Sequence, residues 1–117
     1  MTLEASETGN LIGSDKVQGT TVYGADGQEI GTIERVMIEK VSGRVSYAVL
    51  GFGGFLGIGS DYYPLPWHSL KYDTGIGGYR VGVTEEQLKN APKYADESSW
   101  SWSDPSRTKA VDDYYSL

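Results

Sequence analysis

A chain of 117 residues with a net charge of −6 and a pI near 4.6 reads as one domain with short tails that buries about two-thirds of its unfolded surface. Its ten Lys and Arg are scattered rather than clustered, which argues against nucleic acid or an anionic membrane surface, because phosphate binding needs massed positive charge. The chain holds no cysteine, which excludes disulfides, thiolate metal sites and a cysteine nucleophile, and suits a cytoplasmic protein.

No apolar run approaches the roughly 18 residues of a membrane span. The first ten residues lack the positive start and apolar middle of a signal peptide. The expectation is a soluble, cytoplasmic protein without direct membrane insertion. Sixteen glycines, nine tyrosines and many β-branched residues favour an all-β domain with tight turns.

Residues 1–10 are polar and read as a flexible arm that enters a strand at Leu11-Ile12. Ser14 to Val17 forms a short turn, and Thr20-Thr21-Val22-Tyr23 has strand composition. Asp26-Gly27 supplies the side-chain acceptor and positive φ of a hairpin turn. Glu29 to Lys40 is the longest extended segment, with Val36 and Ile38 on one face and Met37 and Glu39 on the other. Ile33 falls out of phase with Val36, so a bulge near Glu34-Arg35 is needed to restore the register and bend the strand. Val45 to Leu50 is apolar on both faces, which places this hairpin near the centre of a sheet.

The next stretch, Gly51 to Trp67, is the most constrained. Phe52, Phe55, Leu56 and Ile58 are interleaved with five glycines, so large apolar groups ride on a backbone free to adopt positive φ. Each is worth roughly 1.5 to 3 kcal/mol when buried, so the four together demand cover. The sequence leaves open whether they plug the end of a barrel or face another chain. In Tyr62-Tyr63-Pro64-Leu65-Pro66-Trp67 two prolines forbid a central strand and imply an edge. Trp67 suits a core or edge anchor, or part of a contact surface.

His68-Ser69-Leu70 suits one helical turn, glycines at 75, 77 and 78 mark a loop, and Tyr79 to Val83 reads as a last strand. Thr84 with Gln87 has the form of a capping box, starting a helix of about two turns that ends before Ala91-Pro92. Residues 93–117 form a distinct extension, serine-rich and acidic. Trp100, Trp102, Tyr114 and Tyr115 set it apart from a plain disordered tail, so part of it is expected to dock on the barrel or on a partner.

Sharper chemical readings are poorly supported by these residues. The glycine stretch lacks the Gly-Lys-Ser/Thr ending of a phosphate loop and the dinucleotide spacing. His68 is the only histidine, with no second His, Cys or acid pair to make a metal or acid–base site. Ser60 and Ser69 lack a nucleophile elbow and read as turn residues. Asp26 with Glu29, and Asp112 with Asp113, lack an acidic calcium loop around them and read as solvated charge. No enzyme activity, cofactor or metal is therefore expected.

Residues Val17 to Pro92 resemble the PRC-barrel family, named for the cytoplasmic domain of the photosynthetic reaction-centre H subunit. The resemblance rests on Gly19, Val22-Tyr23, Asp26-Gly27, Ile30-Gly31-Thr32-Ile33, Ser42-Gly43-Arg44-Val45 and Tyr47-Ala48-Val49-Leu50. It continues through the glycine stretch, Tyr63-Pro64-Leu65-Pro66-Trp67, Leu70-Lys71-Tyr72, Leu88 and Ala91-Pro92. It implies a small twisted antiparallel β-barrel with one short C-terminal helix, spanning residues 11–92, of the kind found in short stand-alone bacterial members.

It also implies an interaction module, since related barrels serve in the H subunit and, through contact with ribosomal protein, in a ribosome-maturation factor. The H subunit's membrane helix and the maturation factor's RNA-facing domain are both missing, so neither role carries over, and the family supplies no catalytic residue. The expected function is a non-enzymatic adaptor, a homodimer self-associating through the glycine-aromatic loop. Its contact residues are Phe52, Phe55, Leu56, Ile58, Tyr62, Tyr63, Trp67, Trp100 and Trp102. The alternative is a barrel that binds a small molecule or ion near the same loop.

Overall fold

The computed structural model describes residues 11–52 and 61–116. A single helical turn, α1 (Ser14–Val17), leads into β1 (Thr21–Tyr23) and the long β2 (Glu29–Ile38). Between them Gly27 takes φ 84° and Asp26 accepts a hydrogen bond from the Gln28 amide at 3.2 Å, the turn that Asp-Gly predicts. β3 (Val45–Phe52), β4 (Asp61–Pro66), a 3₁₀ turn (Trp67–Ser69), β5 (Leu70–Asp73) and β6 (Gly78–Val81) complete the sheet. Helix α2 (Glu85–Lys89) and a longer helix α3 (Pro105–Tyr115) follow.

The strands form one sheet in the order β4-β3-β2-β1-β6-β5. Two features of the expected barrel are corrected. The sheet is mixed, because β1 pairs with β6 in parallel, Val22 opposite Tyr79. It is also an open, curled half-barrel, since β4 and β5 end the strand order rather than pairing with each other. The parallel pair arises because β6 returns to β1 only after the chain has run through β4 and β5, a long-range choice that no local residue pattern records.

The bend has a local cause. Ile33 pairs with Leu50 but Arg35 with Val49, so Glu34 is the extra residue of a bulge in β2, at the position that the phase slip predicts. Beside it a Cβ on Gly31 would lie 2.3 Å from the Gly51 carbonyl oxygen. Only a glycine lets β3 curl this closely over β2. Ile38 is 53% exposed, although the alternation of β2 places it on the face of Val36; a second register shift between Met37 and Ile38 turns it outward.

The core runs through Val22, Ile33, Ala48, Val49, Leu50, Leu65, Leu88 and Val111. Three consecutive buried positions in β3, Ala48 to Leu50, mean that both faces of this strand are covered, as its unbroken apolar run implies. One cover is α3, which packs against β4. Helix α2 begins with the predicted capping box: Thr84 accepts from the Gln87 amide, and the Gln87 side chain accepts from the Thr84 amide.

Three further differences from expectation stand out. Leu11-Ile12 is not a strand. The helix after Thr84 spans five residues. The chain also ends in an eleven-residue helix, α3, where the sequence reading placed none. Its start signal is present: Asp104 accepts from the Ser106 amide as N-cap and Pro105 occupies the first turn, the arrangement favoured at helix starts.

Candidate functional site

Strand β4 borders the sheet, and the aromatics gather along it. Tyr62 turns its backbone away from β3 and exchanges two hydrogen bonds with Tyr94, at 2.8 and 3.0 Å. N–H groups two residues apart in a strand share a direction, so Pro64 and Pro66, two and four positions on, place their missing donors on that same outer side. The ladder to β3 therefore loses nothing, and Tyr63, Leu65 and both prolines are buried.

From Tyr94 a relay of rings crosses the C-terminal segment. Tyr62 and Tyr94 lie 5.7 Å apart between centroids, Tyr94 and Trp100 stack at 5.4 Å, Trp100 meets Trp102 edge-on at 5.8 Å, and Trp102 tilts onto Tyr47 of β3 at 5.6 Å. Pairs of this geometry contribute about 0.5–1.5 kcal/mol beyond the area they bury. Two cations complete the packing: the Arg107 guanidinium sits 5.2 Å from the Trp100 ring centre and the Lys93 ammonium 5.7 Å from that of Tyr63. Helix α3 is tied down by the Tyr47 hydroxyl donating to Asp112 at 2.9 Å and by the Tyr114 hydroxyl donating to the Gln87 carbonyl.

The C-terminal segment is also where polar groups go unpaired. Trp100 Nε1, Trp102 Nε1 and the Tyr115 hydroxyl are buried without a hydrogen-bond partner, and among the described residues all such side-chain atoms lie here. Each unpaired group costs about 1–3 kcal/mol. Burial pushes the Tyr115 hydroxyl well above the usual tyrosine range. Tyr47 is pushed up to about 12 by burial first and then by the Asp112 carboxylate. Burial also raises Tyr94, with the nearby Arg35 charge acting the other way.

A groove of about 400 Å³ opens beside the Tyr62–Tyr94 bridge, lined by Glu34, Arg35, Val49, Tyr62, Tyr94 and Glu97 among others. An Arg35–Glu97 ion pair, about half exposed on each side, joins the bulged strand to the C-terminal segment. Surface pairs of this kind contribute about 0–1 kcal/mol.

The residues singled out in the sequence divide accordingly. Tyr62, Trp100 and Trp102 come together in the relay. Phe52 packs edge-on against Tyr63 at 5.9 Å. Trp67 lies apart, tilted onto Tyr79 at 5.4 Å. Tyr63 and Trp100 are buried within the chain, so their rings are taken up by internal packing. Phe55, Leu56 and Ile58 lie outside the described residues. His68 is exposed on the 3₁₀ turn, and Ser69 donates to the Pro66 carbonyl at 2.6 Å.

Sequence reasoning passed over Tyr94, Tyr47 and Arg107. Tyr94 carries no strand signal of its own. Val111 and Tyr115 lie four apart on one face of α3, too few apolar positions to mark the helix by periodicity. No helix among the described residues is long and apolar enough to cross a membrane.

Comparison with known proteins agrees with this architecture. The family model for the PRC-barrel domain matches residues 9–88. An uncharacterized protein of Deinococcus radiodurans is 26% identical over 83 residues, which cover 71% of this chain and 29% of that relative. The chain thus spans less than a third of the curated relative's length. Tyr94, the two C-terminal tryptophans and α3 lie beyond the matched residues. With a family match that spans all six strands of the sheet and α2 up to Leu88, the chain belongs to the PRC-barrel domain family.

Proposed function

We propose that this protein is a non-enzymatic protein-interaction module that associates with itself along the β4 side of its half-barrel. The observation that carries this reading is the placement of Phe52, Tyr62 and Trp102, all half-buried, on and beside a strand that ends the sheet. Half-buried aromatics at one edge suit an interface because they add apolar area on association at small cost in side-chain freedom. Phe55, Leu56 and Ile58 enter by their position in the chain, between Phe52 and Asp61. The small core of a 117-residue chain gives association an energetic motive.

Sedimentation velocity at micromolar concentration tests this. The expected result is a species of twice the 12.8 kDa monomer mass, reduced to monomer by Phe55→Asp. A monomer throughout, with stability indifferent to Phe55→Asp, overturns it.

The groove favours a second reading, a binding site for a small molecule. Its volume of about 400 Å³ falls in the range of about 300–1,000 Å³ typical of ligand sites, and it combines aromatic walls with a few charged groups. A thermal-shift screen of metabolites, nucleotides and metal ions separates the two readings, since a ligand well above its dissociation constant raises the melting temperature by several degrees. A flat response removes this reading.

A further inference from the structure

We infer that residues 93–116 form an exchangeable strap, and that the seat on β4 which one chain offers its own strap is occupied in the dimer by the strap of a second copy. This rests on the self-association proposed above and adds to its edge contact a second link between the two copies.

The occupant is identified by the contacts already made. The seat consists of an outward-facing backbone at Tyr62, the ring of Tyr47 and the buried side of β4. The strap supplies an extended residue, Tyr94, then two tryptophans, then a helix whose Val111 and Tyr115 are buried. Every one of these contacts is made equally well by the same segment of an identical chain, so the exchange changes no chemistry at the seat. Domain swapping is a low-cost route to dimers for this reason.

Two observations favour release of this segment over any other. The connection from α2 to the strap is short, and among the described residues no backbone hydrogen bond holds Pro92 or Lys93. Short hinges of this kind invite swapping. In addition, the buried polar atoms left without a partner, Trp100 Nε1, Trp102 Nε1 and the Tyr115 hydroxyl, all belong to the strap. Opening returns these groups to water, so the strap separates at lower cost than its apolar burial alone implies. Apart from the Tyr62–Tyr94 backbone bridge, the side-chain contacts that tether it, among them Arg35–Glu97, Asp61–Lys93, Tyr47–Asp112 and Tyr114–Gln87, lie at the surface.

The absence of cysteine allows a direct test in the full chain. Tyr62 and Tyr94 are a hydrogen-bonded antiparallel pair; extending that register by one residue sets Asp61 opposite Ala95, the place of a non-hydrogen-bonded pair, for which antiparallel geometry gives Cα atoms about 4.5 Å apart, within disulfide reach. Asp61→Cys/Ala95→Cys is incubated at rising concentration, oxidised and resolved on a non-reducing denaturing gel. Exchange is expected to give a covalent dimer of twice 12.8 kDa whose share rises with concentration, while either single-cysteine chain stays largely monomeric.

A disulfide closed only within single chains, beside a dimer in sedimentation, overturns the exchange and leaves self-association standing. A monomer in both experiments overturns both. A second measurement uses the unmodified chain, mixing nitrogen-15-labelled and unlabelled protein and following hybrid dimers by native mass spectrometry. Hybrids are expected to form no faster than the Tyr62 and Tyr94 amides open in hydrogen exchange. Hybrid formation tenfold faster than that opening overturns the inference.

Discussion

The Tyr47 hydroxyl donates to the Asp112 carboxylate at 2.9 Å, joining β3 to α3 across 65 residues of chain. The same tyrosine leans on Trp102, so one side chain of the family barrel holds both the aromatic and the helical part of the C-terminal segment.

This contact makes stability sensitive to alkaline pH. Burial and Asp112 raise Tyr47 to about 12 from an ordinary value of 10.0. The folded state therefore holds its proton more tightly than the unfolded chain. The resulting stabilisation is fully present below about pH 10 and is lost as pH rises towards about 12. Tyr79, Tyr94 and Tyr115, also raised by burial, slope the same way. Urea midpoints between pH 8 and pH 11.5 are expected to fall, and Tyr47→Phe to make the fall shallower while costing about 1 kcal/mol at pH 8. An unchanged slope in Tyr47→Phe would show that this hydroxyl is not part of the effect.

The bend of the sheet depends on one missing methyl group. A Cβ at Gly31 would meet the Gly51 carbonyl oxygen at 2.3 Å and Leu50 Cδ1 at 3.0 Å. Gly31→Ala is expected to destabilise by about 1–3 kcal/mol through overpacking. Gly82 supplies the contrast: a Cβ there meets nothing within 4 Å and its φ is not positive. Gly82→Ala should stabilise by about 0.4–1 kcal/mol by restricting the unfolded chain. Paired denaturation curves check the opposite signs, and a Gly31→Ala protein as stable as the parent would refute the close approach.

The capping box of α2 is a third point of leverage. Thr84 accepts from the Gln87 amide at 3.2 Å, and the Gln87 side chain accepts from the Thr84 amide at 2.9 Å. Thr84→Ala should lower stability by about 1 kcal/mol, with Thr84→Ser restoring most of it. Because α2 also presents the carbonyl that accepts the Tyr114 hydroxyl, amide exchange in α3 should quicken in Thr84→Ala. Protection in α3 identical to the parent would separate the two helices.

The bulge at Glu34, the Asp-Gly turn, the edge character of the proline strand and the Thr84 cap were all legible in the sequence, as was the family resemblance. In each case neighbouring residues carry the signal: a phase slip in alternation, a side-chain acceptor beside a glycine, a missing donor, an acceptor three residues from its amide. At the candidate site the aromatic residues were legible as types, but their grouping was not. Trp100 and Trp102 were expected at a contact surface with Trp67. In the fold Trp100 reaches Tyr62 through Tyr94 and meets Trp102 edge-on, while Trp67 lies apart on Tyr79.

The sequence by itself determined the local units of this protein, its turns, its bulge, its edge strand and its capped helix, because each depends on backbone preferences over a few residues. Only the tertiary structure decided that β1 and β6 run parallel, that the sheet stays open, and that Tyr94 pairs with Tyr62 under a C-terminal helix. These are pairings between residues far apart in the chain. They are selected by which combination buries Val111, Tyr115 and Trp100 at once, a sum over the whole molecule that no short stretch contains.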